Sequence, residues 1–101
     1  MMFLITYGPV EENEQVYNRL DGGIKTMGNW SSRIKNTWLL HARMNASTIR
    51  DRLKPLIEER DRLFVARISK NWAGTNMGVN FPEWLKRQEF GTFSNPQSTE
   101  S

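Results

Sequence analysis

The chain has 101 residues, the size of one domain, and its 38% hydrophobic and 25% charged residues are ordinary for a globular protein. It contains no cysteine, which excludes disulfides, thiolate-bound zinc, iron–sulfur clusters and a cysteine nucleophile. Fourteen Lys and Arg against 11 Asp and Glu leave a net charge of +3, a mildly basic balance that permits nucleic-acid binding without requiring it.

The first predicted element is a β-strand from Phe3 to Tyr7, closed by the turn pair Gly8-Pro9. Alternation along this strand puts apolar side chains on both faces: Phe3, Ile5 and Tyr7 on one, Met2, Leu4 and Thr6 on the other. A strand of this kind belongs in the middle of a sheet with material on each side. The apolar run is too short for a signal peptide or a membrane span. We therefore expect a cytoplasmic protein with no membrane partner.

A helix is predicted from Glu11 to about Lys25, because Val16, Leu20 and Ile24 recur every four residues. Two short strands, residues 30–34 and 37–42, follow around the hairpin turn Lys35-Asn36. Asn45 then caps a second helix, predicted from Ala46 to about Arg60 with a kink at Pro55. The last strand is predicted over residues 63–68.

The amino-acid composition changes after residue 68. Residues 69–80 are rich in Gly and Asn and predict a loop, and residues 81–87 predict a short helix with Pro82 in its first turn. We assign residues 1–90 to a single domain and expect residues 91–101 to form a flexible polar tail.

The order strand, helix, strand, strand, helix, strand predicts an α+β fold, the ferredoxin-like βαββαβ sandwich. Its antiparallel sheet has four strands, with the first and third in the centre. Two helices lie on one face, and a C-terminal loop and short helix follow. The second face stays open unless the C-terminal segment or a second subunit lies on it. Because an open apolar sheet promotes aggregation, we expect a homodimer formed on this face or along a sheet edge.

Several segments resemble small bacterial and phage relatives of CRISPR-associated protein two. They are residues 2–7, 36–40, 49–56 and 61–65, and the run from Asn71 to Gly74. The resemblance covers residues 2 to about 74. It implies a homodimer of ferredoxin-like protomers that holds duplex DNA, or a metal-dependent nuclease acting on RNA or DNA.

The resemblance breaks at the metal ligand, which in the nuclease members is an aspartate directly after the tyrosine that ends the first strand. Here Tyr7 is followed by Gly8, which has no side chain to bind a metal. Glu11 and Glu12 lie nearby, but carboxylates at a helix start are usually explained by the helix dipole. We therefore expect no metal site, no cofactor and no catalytic residue. The single histidine, His41, has no triad-like support and is interpreted as a packed or solvated sheet residue.

The predicted nucleic-acid-binding residues are basic side chains of the hairpin, the second helix and the last strand, with one tryptophan from the loop. They are Arg33, Lys35, Arg43, Arg50, Lys54, Arg67, Lys70 and Trp72. The alternative for the helix cations is a solvated surface with local ion pairs. The alternative for Trp72 is docking onto the sheet or onto a second subunit.

Three functions are compatible with these features. The first is a non-catalytic dimer related to CRISPR-associated protein two that binds DNA, RNA or nucleotide phosphates. The second is a divergent metal-dependent endonuclease that uses Glu11 or Glu12. The third is a phage or mobile-element module that binds a protein partner in a host defence or toxin complex.

Overall fold

The structure is a computed structural model that describes residues 1–91. Its elements are β1 (Met2–Gly8), α1 (Glu14–Lys25), β2 (Asn29–Ile34), β3 (Thr37–His41), α2 (Ala46–Leu53), a short 3₁₀ helix (Lys54–Leu56), β4 (Arg62–Ile68) and α3 (Phe81–Lys86). The four strands form one antiparallel sheet in the order β2-β3-β1-β4. The predicted α+β ferredoxin-like fold, with the first and third strands in the centre, is confirmed. Apart from Gly91, the predicted flexible tail lies outside the described residues.

The first helix begins three residues later than predicted, because Asn13 caps it. Its side-chain oxygen accepts hydrogen bonds from the amides of Gln15 (3.0 Å) and Val16 (3.4 Å), which have no partner inside the helix. Glu11 and Glu12 therefore precede the helix instead of forming its first turn.

The second helix is shorter than predicted: α2 ends at Leu53, and the expectation of a helix to Arg60 is wrong. Pro55 has no N–H to donate, and its ring conflicts with the carbonyl four residues earlier, so the chain tightens into the 3₁₀ turn instead of kinking. Ile57 is already extended, and the chain turns back towards β4.

β1 organises both faces of the sheet, as its alternation predicts. Phe3, Ile5 and Tyr7 lie in the main core, between the sheet and the two helices. Met2 points to the opposite face and is fully buried there. Because a buried side chain needs partners, something other than α1 and α2 must pack on the second face.

The partner on the second face is the segment from residue 69 to residue 91, which we call the C-terminal cover. Phe81 and Leu85 of α3, together with Phe90, form a second buried cluster with Met2. Trp72 packs against the same cluster. The alternative in which the C-terminal segment lies on the second face is therefore realised, at the end of the sheet where Met2 pairs with His41 and Ile68.

The opposite end of the second face has no such partner in the described part of the chain. The register sets Ile34, Thr37, Thr6 and Phe64 side by side across the four strands. Ile34 is 53% exposed and Phe64 is 60% exposed. We call these four residues the uncovered row.

Two glycines test how closely the connection between α1 and β2 approaches β3. A Cβ at Gly28 would lie 1.8 Å from the carbonyl oxygen of His41, whereas a Cβ at Gly22 would meet nothing within 4 Å. Gly28→Ala therefore forces backbone to move, and we expect a loss of at least about 2 kcal/mol in unfolding free energy. Gly22→Ala, on the exposed side of α1, should raise it by about 0.5–1 kcal/mol. Urea denaturation of both variants measures this, and equal effects would contradict the close approach at Gly28.

Candidate nucleic-acid interface

The position at which the resemblance places a metal-binding aspartate is Gly8, at the end of β1. Gly8 is exposed and pairs with Arg62 of β4. A Cβ at Gly8 would lie 3.6 Å from the Cβ of Arg62, which is ordinary van der Waals contact. The backbone at this position therefore has room for a side chain, so packing does not explain why it carries no carboxylate.

The carboxylate of Asp61, which hydrogen-bonds to Tyr7 at this strand end, accepts from three donors. One oxygen accepts from the Tyr7 hydroxyl (2.9 Å) and the amide of Glu58 (3.0 Å), and the other accepts from the amide of Val10 (2.9 Å). The Val10 amide first, and then the Tyr7 hydroxyl, hold the pKa of Asp61 below its usual value. Burial and the Asp61 carboxylate raise the pKa of Tyr7, so its hydroxyl stays protonated and donates.

Asp61 belongs to a group of carboxylates that we call the acidic end: Glu11, Glu12, Glu58, Glu59 and Asp61, all lining one open cavity of about 390 Å³. Glu12 accepts a hydrogen bond from the Tyr17 hydroxyl (2.7 Å), and Lys35 Nζ lies 3.7 Å from its carboxylate. Within residues 1–91, no three His, Asp or Glu side chains are arranged to hold a metal ion. The two glutamates weighed as ligands thus form no such set in the described structure.

A smaller polar pocket, of about 210 Å³, lies beside the hairpin turn. Tyr7, Tyr17 and Trp38 supply its aromatic walls, and Asp21 and Lys35 line it as well. Desolvation raises the pKa of Asp21, and the charge of Lys25 opposes this shift. The pocket joins opposite charges beside aromatic rings, so its electrostatics do not select an anion.

Two of the predicted interface residues follow strands that finish at the end of the sheet remote from the acidic end. Arg43 follows β3 and Lys70 follows β4, at the end where His41 and Ile68 flank Met2. The last turn of the cover adds Lys86 and Arg87, next to Leu85, which packs on Met2. All four cations are exposed, and none makes an ion pair with another described residue. We call these four residues the basic end.

The other predicted cations lie elsewhere. Lys35 is in the hairpin turn at the acidic end, and Arg33 reaches over the β2 edge to the carbonyl of Val79 (3.4 Å). Arg50 pairs with Asp51 (2.9 Å) on α2, and Lys54 begins the 3₁₀ helix. The eight residues predicted from sequence therefore do not form one continuous surface.

Arg67 and Trp72 both attach the C-terminal cover to the sheet. Arg67 lies near the basic end, on the same face as Val65, and its Nη2 donates to the carbonyl of Phe90 (3.4 Å). Trp72 is half-buried and meets Phe81 edge to face, with ring centroids 6.4 Å apart. The interpretation in which Trp72 docks onto the sheet is thus the one the geometry supports. His41 Nε2 lies 3.4 Å from the Glu89 carboxylate of the same segment.

Sequence reasoning missed Lys86 and Arg87 as members of the basic surface. They follow the pattern of a short amphipathic helix, with Leu85 buried and the next two residues exposed. The pattern indicates that they face away from whatever the helix packs on. It does not indicate that the helix packs beside β3 and β4, which depends on the path of the loop from residue 69 to residue 80.

Comparison of the chain with protein-family models, curated proteins and solved structures gives no match. The resemblance to CRISPR-associated protein two therefore stays a prediction. In the described part of the chain, no helix is both long and apolar enough to cross a membrane.

Asp61→Asn should destabilise the protein, because the amide keeps one acceptor oxygen while its NH₂ group faces donors. We expect Asp61→Asn to lower the unfolding free energy by about 1–2 kcal/mol at pH 7. Tyr7→Phe, which removes one donor, should lower it by about 0.5–1.5 kcal/mol. The folded-state pKa of Asp61 is depressed, so its contribution is present above about pH 4 and is lost as the pH falls through the folded value. The difference in unfolding free energy between wild type and Asp61→Asn, measured by denaturation, should become smaller at acid pH. A difference that is independent of pH would contradict the ionised acceptor.

Proposed function

We propose that this protein is a cytoplasmic, dimeric nucleic-acid-binding protein that holds its ligand without cleaving it. The observation that carries the proposal is the separation of charge along the sheet. Five carboxylates and Arg60 line the cavity at the acidic end. Arg43 and Lys70 follow strands that end at the opposite end of the sheet, and Lys86 and Arg87 follow Leu85, which packs there. Cations without carboxylate partners are available to neutralise phosphates, which releases the counterions condensed on the nucleic acid and favours binding.

The strand end at Gly8 supports binding without hydrolysis. Metal-dependent phosphodiester cleavage needs hard oxygen ligands that fix the ion beside the scissile phosphate. Gly8 supplies none, and the oxygens of Asp61 are taken by three donors. The surrounding glutamates also repel a phosphate backbone, so this end is poorly suited to contact nucleic acid.

The uncovered row supports a dimer. Ile34 and Phe64 are large, apolar and exposed, and the two residues between them are threonines without charge. A second copy related by a two-fold axis along the strands would place its own row against this one and remove the apolar surface from water. Such a dimer would carry two basic ends and a larger total positive charge. A factor that binds a different protein through the same row is the competing interpretation.

Charge reversal at the basic end tests the nucleic-acid proposal. We expect wild type to bind a fluorescent duplex with a dissociation constant of roughly 10⁻⁴–10⁻⁶ M, weakening steeply between about 50 and 200 mM salt. Arg43→Glu with Lys70→Glu should weaken binding at least about tenfold and reduce the slope of log affinity against log salt by about 2. Fluorescence anisotropy across a salt series measures both quantities.

The matched control is Arg52→Glu with Arg60→Glu, which changes the net charge equally on exposed residues outside the basic end. We expect it to weaken binding less than about threefold, through the general field alone. Equal effects of the two double variants, or no binding at low salt, would contradict the proposal. Cleavage of the duplex in magnesium or manganese that is lost in Glu11→Ala or Glu12→Ala would establish the endonuclease instead.

Phe64→Asp tests the dimer, because it places a charge in the uncovered row. We expect wild type to sediment as a dimer at about 50 μM and Phe64→Asp to sediment as a monomer. Val10→Asp is the control: Val10 is 57% exposed but lies at the acidic end, away from the row, and should leave the dimer intact. A monomeric wild type would refute the dimer and favour the protein-binding factor.

A further inference from the structure

The edge of the C-terminal cover leaves a cleft on the second face of the sheet. Leu4, Ile34 and Leu39 form its floor, and Trp72 and Phe81 form the facing wall. Its volume is about 470 Å³, within the range of small-molecule sites. The cleft lies between two layers of the protein and shares Ile34 with the uncovered row, whose other three residues do not line it.

The lining of the cleft is apolar. Met77 and Leu85 add to the side chains above, and the described lining residues include one side-chain hydroxyl, Thr75, and no ionisable group. A ligand that enters must therefore bring an apolar body, which gains free energy in proportion to the apolar area removed from water.

A cation lies beside one end of the cleft lining, next to Ile34 and to the segment that follows Met77, and we call this end the mouth. The guanidinium of Arg33 rests on Gly78: a Cβ there would lie 2.2 Å from Nη1. Gly78, with φ +102°, follows Met77 of the lining, and Arg33 precedes Ile34 of the floor. Apart from the 3.4 Å bond to the Val79 carbonyl, the guanidinium has no hydrogen-bond or ion-pair partner among residues 1–91. It therefore has N–H donors free to receive an anion.

We propose that the cleft binds a small amphipathic carboxylate, whose hydrocarbon body lies on Leu39 and Trp72 and whose carboxylate meets Arg33. The occupant follows from charge complementarity: the wall and floor are apolar, and the charge at the mouth is positive. Planar bidentate pairing with a carboxylate is the interaction for which a guanidinium is best shaped. This site contains no residue of the basic end and shares one residue, Ile34, with the uncovered row.

The test uses decanoate and its uncharged counterpart 1-decanol as probes of the full chain. In ¹⁵N–¹H spectra the indole N–H signal of Trp72, assigned by its loss in Trp72→Phe, should shift on titration with decanoate. The signal of Trp38, which packs on the other face, should stay in place. Decanoate should bind about tenfold more tightly than 1-decanol, the effect of one charge-assisted hydrogen-bonded contact at a partly exposed mouth.

Arg33→Gln should remove the preference for decanoate over 1-decanol while leaving 1-decanol binding unchanged. Arg62→Gln is the matched control, because Arg62 is an exposed arginine at the far edge strand of the sheet, and it should keep the preference. Equal binding of the two probes to wild type, the same effect of both arginine variants, or an unmoved Trp72 signal would overturn the proposal. A decanoate-induced shift that appears only as the dimer dissociates would assign the cleft to a second copy of the chain.

Discussion

The structure depends on the burial of β1 from both sides. With apolar residues on each face of a central strand, two layers of material are required, and the ferredoxin-like arrangement supplies only one from α1 and α2. The second layer is the C-terminal cover, whose Phe81 and Leu85 bury Met2. The described cover shields only the end of the strand near Met2. The apolar surface that remains, in the uncovered row and in the cleft, is a direct consequence of that partial coverage.

The same coverage sets the electrostatics. Both β3 and β4 run towards the end of the sheet where Leu85 of the cover packs on Met2, and Arg43 and Lys70 follow these strands. At the other end, the loops that enter α1 and β4 bring their carboxylates to one cavity. Although the net charge is only +3, the carboxylates of the acidic end and the cations of the basic end lie at opposite ends of the sheet, which the composition alone does not indicate.

Asp61 lies near the end of β1, and its carboxylate serves to hold neighbouring segments together. It connects the end of β1 through Tyr7, the entry to α1 through Val10 and the turn before β4 through Glu58. Three donors converging on one side chain stabilise its ionised form and hold three loops together. The acidic end is accordingly explained as a junction of loops, whereas the basic end has no comparable internal partners in the described residues.

The amino-acid sequence by itself determined the element order, the two apolar faces of β1 and the α+β class, because these follow from periodicity and turn residues that act locally. It determined the end of α1 at Lys25 and the start of α2 at Ala46. It did not determine the start of α1, which is set by the Asn13 cap, or the end of α2, which is set by the missing N–H donor of Pro55. Nor did it determine which residues share the second face. A bulge in β2 between Ser31 and Ile34 sets Ile34 on that face, and the path of residues 69–80 brings Phe81 and Leu85 onto Met2. Those outcomes depend on contacts between distant segments, which no local pattern encodes.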